Sequence, residues 1–312
     1  MRVVVALGGN ALQRRYEAAD AKTRGRNLQH AAEIVAEIAR QTDVVITHGN
    51  GPQVGYLALA AANSAGSAEA LDVLVAQSEG MIGYILERDL AEQLPRRTIA
   101  TLLTQVEVDP NDPAFRTPTK PIGPVYSDIE AWRLVADRGW RIVRDGNGYR
   151  RAVASPEPRR LRELVAIKIL VDAGSLVICS GGGGIPVVVG ADGSLRGVEA
   201  VIDKDLSAAI LAEGIGADAL LLLTDVQAVL TERGDRGRAI AQATPAQLRE
   251  FRFAPGSMGP KVEGACRFVE RTGGIAVIGA LTDARALLAG CGGTLVKQSN
   301  DPIRYFEGAA GD

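Results

Sequence analysis

The sequence is poor in the residues that build disulfide frameworks, metal centres and catalytic triads. It contains three cysteines and two histidines in 312 residues, and Cys179, Cys266 and Cys291 lie far apart. No pair of them has zinc-site spacing, and an odd number without a framework suits a reducing compartment. With so few histidines, a metal hydrolase or a Ser-His-Asp hydrolase is poorly supported.

Aromatic residues and long apolar runs are scarce as well. Aromatics make up 4% of the chain and all hydrophobic residues 46%, so aliphatic side chains must build the core. No apolar run approaches the ~20 residues of a membrane helix, and the N-terminal apolar stretch is too short for a signal peptide. The formal net charge of -2 argues against nucleic acid or a membrane as main partner. We therefore expect a soluble, cytoplasmic protein.

Short β-branched runs alternate with segments of helical period. This alternation predicts an α/β fold, a three-layer αβα sandwich with a mainly parallel central sheet that is covered by helices on both faces. An alternating run followed by Asp192-Gly193 also predicts a hairpin over 187–193. The predicted strands cover 3–7, 43–47, 99–103, 176–179, 219–223 and 275–278, and predicted helices cover 28–38, the stretch from Leu71, 205–213 and 260–271.

A proline-rich segment interrupts this rhythm from residue 109 to about residue 160. Its periodicity is weak, and proline is poorly tolerated inside regular elements. We expect the segment to form a small excursion from the main sheet, either a lid or a subdomain. The prolines that we expect to lie outside regular elements are Pro110, Pro113, Pro118, Pro121 and Pro124.

Four glycine-rich loops follow predicted strands or open predicted helices. In a parallel sheet, ligands bind beyond the carboxyl ends of the strands, and glycine lets backbone N–H groups approach a phosphate closely. Any one loop is as well explained by a tight turn, but four together indicate a phosphate cradle. The loops are Gly8-Gly9-Asn10, His48-Gly49-Asn50-Gly51-Pro52, Gly181-Gly182-Gly183-Gly184 and Gly256-Ser257-Met258-Gly259-Pro260-Lys261.

Two common phosphate motifs do not explain these loops. A P-loop needs Gly-Lys followed by Ser or Thr, and the sequence contains no Gly-Lys pair. The loop from Gly49 to Gly55 is near the dinucleotide fingerprint but has one extra residue and no suitable acidic residue after a second strand. A nicotinamide-dependent oxidoreductase is therefore a weak alternative. For His48, in the same loop, turn packing is as good an interpretation as ligand contact.

Two lysines and an aspartate are placed where they could hold a transferring phosphoryl group. Asp203-Lys204-Asp205 begins a predicted helix, with Asp203 as a plausible N-cap. Lys204 and Lys261 both fall in a predicted first turn, where the helix dipole disfavours a cation unless an anion faces it. Each alone is as well explained as a surface lysine. Together they could clamp a phosphoryl group, with Asp205 between the two ammonium groups.

These motifs resemble those of the carbamate kinases, a branch of the amino-acid kinase superfamily. The matching blocks come in the family's order and span nearly the whole chain. They are Ala6 to Leu12, Thr47 to Gly55, Lys120-Pro121-Ile122-Gly123-Pro124, Ala154-Ser155-Pro156, Gly181 to Val187, Val201-Ile202-Asp203-Lys204-Asp205 and Ala254 to Glu263.

The resemblance implies a homodimeric kinase that transfers a phosphoryl group between ATP and carbamate. In that family pattern Lys204 and Lys261 contact the migrating group, Asp205 organises them, and Lys120 reaches over the substrate. The resemblance also implies that Gly8, Gly9, Asn10, Gly49, Asn50 and Gly51 bind the carbamate or phosphoryl oxygens, and that Gly181, Gly182, Thr224, Asp225, Val226, Met258 and Gly259 bind the nucleotide.

The domain organisation and the cofactors follow from the same resemblance. It implies one amino-acid kinase domain over 1–312, with an N-terminal lobe (1–175) for the small acid, a protruding subdomain over about 109–160, and a C-terminal lobe (176–312) for the nucleotide. ATP or ADP would bind with Mg²⁺, which the nucleotide phosphates would mainly hold. The pathway implied is arginine fermentation. Tyr56, Gln227 and Leu230 depart from the family pattern.

Two other functions fit the same scaffold. One is a kinase that acts on another small acid or phosphate. The other is a non-catalytic nucleotide sensor, which the presence of Lys204, Asp205 and Lys261 argues against.

Overall fold

A computed structural model describes residues 1–9, 17, 20–63, 69–232, 237–254 and 256–307. The strands, in chain order, are β1 (Arg2–Leu7), β2 (Asp43–His48), β3 (Ile99–Thr101), β4 (Gln105–Val108), β5 (Lys120–Tyr126), β6 (Ile142–Asp145), β7 (Gly148–Val153), β8 (Pro158–Leu161), β9 (Leu176–Ile178), β10 (Ile185–Val189), β11 (Leu195–Gly197), β12 (Ala219–Thr224), β13 (Ile240–Ala243), β14 (Ile275–Ala280), β15 (Thr294–Val296) and β16 (Arg304–Tyr305). The α-helices are α1 (Ala21–Ala39), α2 (Gly51–Asn63), α3 (Leu71–Gln93), α4 (Asp128–Arg138), α5 (Leu164–Asp172), α6 (Lys204–Gly214), α7 (Pro245–Leu248), α8 (Met258–Thr272) and α9 (Ala284–Leu288).

A large central sheet organises the molecule. Within the described residues its strand order is β16-β13-β15-β14-β12-β1-β2-β9-β3. The strands from β14 to β3 in that order run parallel, whereas β15 is antiparallel to β14, and β16 to β13. The predicted mainly parallel sheet is confirmed. Strands from both halves of the chain share it.

The two faces of β1 pack against different helices, as its uninterrupted apolar run predicts. Successive side chains of a strand point to opposite faces of the sheet. Val5 packs in a cluster with Leu28 of α1 and Leu86 of α3. Val4 packs on the other face with residues of α6 and α8, including Phe268. Helices therefore cover both faces of the sheet. Because ligands bind at the carboxyl ends of parallel strands, a binding site is expected at that edge of the sheet.

Two smaller sheets flank the central one. The first has the order β11-β10-β4-β8, and its β10–β11 pair confirms the predicted hairpin, with Val188 opposite Arg196. The second has the order β5-β7-β6 and lies within the proline-rich segment together with α4. Helix α4 begins with a capping box between Ser127 and Glu130.

One expectation about the prolines is wrong. Pro121 and Pro124 lie inside β5, and Pro113 is the first residue of a 3-10 helix (Pro113–Phe115), where its missing N–H is not needed. Strand β5 is at the edge of its sheet, and its register with β7 shifts between Ile122 and Tyr126. The lack of an N–H group at its two prolines therefore removes few hydrogen bonds between the strands. No helix in the described part of the chain has both the length and the apolar character to cross a membrane.

Candidate active site

The first two glycine loops meet at the carboxyl edge of the central sheet. Strands β1 and β2 are parallel neighbours with Leu7 opposite His48, so the loops that follow them start side by side. A Cβ atom on Gly49 would lie 2.8 Å from the backbone nitrogen of Gly9, which only glycine avoids. The Gly8 N–H donates to the Leu223 carbonyl of β12 at 2.9 Å, which ties the first loop to the next strand.

The third glycine loop packs against the second. A Cβ atom on Gly182 would lie 2.1 Å from the side-chain nitrogen of Asn50, and Gly182 has a φ of +69°. Asn50 is buried, and its Nδ2 donates to the Ser78 hydroxyl of α3 at 2.8 Å. Three of the four predicted loops are therefore in direct contact, which places their backbone groups around one edge of the sheet.

The two predicted lysines share one carboxylate. Asp203 is the N-cap of α6, and its side chain accepts a hydrogen bond from the Asp205 N–H at 3.0 Å. This cap fixes the start of the helix, whose first two residues are Lys204 and Asp205. Lys204 Nζ donates to Asp205 Oδ1 at 2.5 Å, and Lys261 Nζ, from the first turn of α8, donates to Asp205 Oδ2 at 2.9 Å. The side chains of Lys204 and Lys261 are only 8% and 12% exposed. The fourth loop is thereby joined to the site through Lys261.

Burial and the shared carboxylate set the charges of this cluster. Burial lowers the pKa of Lys204, because the charge of Asp205 only partly offsets the loss of water and Lys261 opposes a second positive charge. Burial acts the same way on Lys261, but Asp205 outweighs it and raises the pKa of Lys261. Although burial opposes its charge, the two ammonium groups hold the pKa of Asp205 well below its ordinary value. With both lysines protonated, these three side chains carry a net positive charge in a largely buried site.

A third lysine reaches the same place from the small β5-β7-β6 sheet. Lys120 Nζ donates to Asp203 Oδ2 at 2.7 Å. Lys120 is the first residue of β5 and Asp203 is the N-cap of α6, so the ion pair joins the start of β5 to the start of α6. The resemblance implied that Lys120 lies over the substrate, and the sequence pattern predicted Asp203 only as an N-cap. The structure shows that Asp203 does both jobs, one with each oxygen.

The predicted nucleotide-side residues fall into two groups. Thr224, Asp225 and Val226 lie at the end of β12 beside the first glycine loop, and Val226 is 40% exposed. Met258 and Gly259 are the first two residues of α8, in the same first turn as Lys261. Of these residues, Asp225 is close enough to Lys261 for its charge to help raise the pKa of that lysine.

The other nucleotide-side residues, Gly181 and Gly182, lie deeper. Both are buried beside the second loop, and the Gly181 N–H already donates to Glu79 of α3. Their contact with a nucleotide stays a prediction. Gly51 begins α2 directly after Asn50. Asn10, predicted to bind substrate oxygens, lies outside the described residues.

The comparisons with known proteins agree with this arrangement. The model of the amino acid kinase family matches residues 1–278. The chain belongs to this family.

Relatives of this amino acid kinase carry a more specific name. The curated carbamate kinase of Rhizobium meliloti (strain 1021) is 52% identical over 310 residues, which cover 98% of this chain and 96% of that protein. The curated carbamate kinase of Haemophilus influenzae is 48% identical and covers 98% of this chain and 100% of that protein. The solved carbamate kinase from Giardia lamblia bound to AMP-PNP is 37% identical, with a TM-score of 0.85 over 96% of this chain and 98% of that one. The resemblance to carbamate kinases is confirmed.

Sequence reasoning missed a buried carboxyl group of this kinase. Glu79 is 1% exposed and accepts from the Gly181 N–H at 2.7 Å and from the Thr104 N–H at 3.3 Å. A signal was present, because Glu79 occupies a core position of the apolar stripe of α3, four residues after Val75 and three before Ile82. Burial is the main cause that raises the pKa of Glu79 to about 8.

His48 is the last residue of β2 and is fully buried. Its Nδ1 lies 3.1 Å from the Gly49 carbonyl, and its Nε2 is buried with no hydrogen-bond partner among the described residues. Burial lowers the pKa of His48 to about 4, so the ring is neutral at pH 7. The ring packs against Gly181 of the third loop, and a ligand contact of His48 stays a prediction.

Proposed function

We propose that this amino acid kinase is a carbamate kinase, an ATP-dependent phosphotransferase that moves a phosphoryl group between ATP and carbamate. The observation that carries the proposal is the buried pair of ammonium groups on Asp205, beside glycine loops that pack closely at one edge of the sheet. The relatives named carbamate kinase, at about half identity over nearly the whole chain, support the choice of acceptor.

The chemistry suits a site without a strong base. Carbamate is an anion, so its oxygen attacks the γ-phosphorus directly, forming the new O–P bond. The bond from the γ-phosphorus to the bridging oxygen breaks, and ADP leaves with that electron pair. Lys204 and Lys261 neutralise the charge on the migrating group, while Asp205 keeps both ammonium groups aimed at one point. The neutral His48 ring takes no part in proton transfer.

The acceptor binds at the glycine loops. Gly9, Gly51 and Asn50, with Asn10, supply donors to the carbamate or phosphoryl oxygens. Gly8 and Gly49, whose N–H groups donate to the Leu223 and Leu7 carbonyls, bind the acceptor by leaving room for it to approach the backbone. Lys120 covers this side when it releases Asp203 and turns towards the incoming anion. Exchange of one ion-pair partner for another keeps the ammonium group neutralised throughout, which lowers the cost of the movement.

The nucleotide binds along the ends of β12 and α8. Its phosphates and base are bordered by Thr224, Asp225, Val226, Met258 and Gly259. Gly181 and Gly182 form the buried floor of the same site. Mg²⁺ enters as part of the nucleotide substrate, held mainly by phosphate oxygens, since both oxygens of Asp205 already accept from lysines. The complex of the Giardia lamblia relative with AMP-PNP supports ATP as the nucleotide.

We also propose a homodimer that works in the cytoplasm, with arginine fermentation as its pathway. The dimer is supported by an apolar face next to the sheet edge at β3. Tyr84 on α3 is 63% exposed, and Leu103 just after β3 is 51% exposed. A second copy that covers this face would remove both side chains from water.

The decisive experiment measures ATP formed from carbamoyl phosphate and ADP with Mg²⁺. Acetyl phosphate with ADP is assayed in parallel, and so is ATP consumption with carbamate, acetate, glutamate or UMP. We expect carbamate and carbamoyl phosphate to give the highest kcat/KM. A higher value with another acceptor would make the chain a kinase of the same fold with a different substrate, and nucleotide binding without any turnover would make it a sensor.

A further inference from the structure

One turn of α3 contacts two of the glycine loops at once. Ser78 accepts from Asn50 Nδ2 at 2.8 Å and donates to the Val75 carbonyl at 2.7 Å. The next residue, Glu79, accepts from the Gly181 N–H through Oε1 at 2.7 Å. The second and third loops are therefore attached to adjacent residues of one helix, which fixes their separation.

The third loop needs to be held, because its backbone is strained. Ser180 has a φ of +54°, the left-handed region that non-glycine residues avoid. Its N–H donates to the Thr104 hydroxyl at 2.9 Å, and its carbonyl accepts from the Thr47 hydroxyl at 2.7 Å. Strained residues persist where the surroundings over-determine them, and such sites are often functional.

The same loop is linked to the lysine cluster. The Ser180 hydroxyl lies 2.8 Å from the hydroxyl of Ser207, which is in the first turn of α6, three residues after Lys204. A shift of the loop would therefore reach both Asn50, on the acceptor side, and the helix that carries Lys204. A displacement of about 1 Å in a reacting group can cost ~10²-fold in rate.

Glu79 is an acidic residue in the buried network that holds the third loop, and its hydrogen bonds explain how the protein tolerates its burial. A buried carboxyl group is costly unless it is hydrogen-bonded, and Glu79 has two backbone donors. The ionisable groups around it are His48 at the end of β2, Cys179 after β9 and Glu163 before α5. Burial, helped by the charge of Glu163, raises the pKa of Glu79 to about 8, so it is neutral at pH 7.

We propose that Glu79 is a positioning residue for phosphoryl transfer, which holds the Gly181 N–H through Oε1 and thereby keeps the 180–184 loop against Asn50 and α6. The inference rests on the proposed function for its kinetic consequences. Because the Gly181 contact needs one acceptor oxygen and no charge, a glutamine carbonyl should serve there. The glutamine NH2 gives up only the longer bond from the Thr104 N–H, at 3.3 Å.

The test compares Glu79→Gln with Glu79→Leu, and uses Asp89→Asn as the control. Asp89 is also a buried acidic residue of α3, but it pairs with Arg88, away from the loops. We expect Glu79→Gln and Asp89→Asn to keep the wild-type kcat at pH 7 within about threefold. We expect Glu79→Leu to lose ~10–10²-fold in kcat, with a smaller change in the KM for ADP.

Three results would overturn the proposal. One is wild-type turnover by a folded Glu79→Leu variant, and another is a loss in Glu79→Gln as large as that in Glu79→Leu. The third uses no enzyme assay: amide hydrogen exchange of the 180–184 peptide must be faster in Glu79→Leu than in Asp89→Asn, and equal rates contradict the contact. If Glu79→Leu does not fold, the kcat and exchange of Glu79→Gln decide alone, and both must match wild type. Failure of wild-type turnover would instead remove the proposed function and leave the exchange result to judge Glu79.

Discussion

Asp205 accepts a hydrogen bond from a different lysine on each of its two oxygens, so one carboxylate holds two buried ammonium groups. Neither lysine alone distinguishes a phosphoryl clamp from a surface residue in the sequence. The carboxylate that they share makes this distinction, because two buried ammonium groups this close to each other are stable only with an anion between them. In the reaction the migrating phosphoryl group would supply the second anion.

Replacing Asp205 by asparagine should destabilise the protein. The change leaves two buried ammonium groups without their counter-charge, and removing one partner of a buried ion pair typically costs ~3–5 kcal/mol. The free energy of unfolding in urea at pH 7 measures it. Asp172→Asn is the control, because Asp172 also pairs with two basic side chains, Arg2 and Lys168, but on the surface. Equal stability of the two variants would contradict the buried cluster.

The buried histidine makes stability depend on pH on the acidic side. The pKa of His48 is about 4 in the folded protein against an ordinary value of 6.5, so between these values the unfolded chain binds a proton that the folded chain does not. Stability contributed by neutral His48 is therefore present above pH 6.5 and is lost as the pH falls towards 4. We expect His48→Gln to flatten the unfolding free energy over this window. Identical slopes in the wild-type protein and in His48→Gln would refute the account.

At the scale of elements, the pattern of residues predicts the layers of the fold but not its long-range contacts. The apolar runs of β1, β2 and β12 and the stripe of α1 are visible because burial on both faces, or on one helical face, leaves a periodic signal. Strand β3 ends at Thr101, two residues earlier than predicted, where the chain leaves the sheet edge. The β4 and β8 strands were missed, because short strands beside a proline-rich segment carry little periodicity.

The candidate site was predictable to a similar extent. Glycine loops at strand ends and lysines in first turns are local patterns, and the structure brings them together. The ion pair of Lys120 with Asp203 spans 83 residues, and the contact of Glu79 with Gly181 spans 102. Nothing in a single sequence encodes which of many charged residues meet across such distances.

The ion pair between Lys120 and Asp203 should limit the opening of the β5-β7-β6 sheet. Asp203→Asn keeps an N-cap for α6, since asparagine caps as well as aspartate, but it removes the charge that holds Lys120. We expect faster amide hydrogen exchange in β5 and β7 and unchanged exchange in the first turn of α6. Glu107→Gln, which breaks the Glu107–Arg162 pair in the other small sheet, should leave β5 and β7 unaffected. Unchanged exchange in Asp203→Asn would show that the pair does not restrain the sheet.

At the scale of the whole molecule, the sheet edge at β3 predicts how two copies assemble. Tyr84→Glu places a charge on the apolar face of α3, and desolvating that charge in an interface is costly. We expect sedimentation velocity to show a dimer for the wild-type protein and a shift towards monomer for Tyr84→Glu. Trp132→Glu is a matched control, because Trp132 is also an exposed aromatic residue on a helix, but on α4 of the proline-rich segment. A monomeric wild-type protein, or a dimer that only Trp132→Glu disrupts, would place the interface elsewhere or remove it.

The central claim is that two ammonium groups on one carboxylate stabilise the phosphoryl group in transit. The most direct measurement is kcat for ATP formation from carbamoyl phosphate and ADP by Lys261→Ala, beside Lys168→Ala, which removes a surface lysine of α5. Losing one charge aimed at the transition state costs ~10²–10³-fold, so we predict that loss in kcat for Lys261→Ala, a native circular dichroism spectrum, and wild-type kcat for Lys168→Ala. Near-wild-type turnover by folded Lys261→Ala would contradict the account.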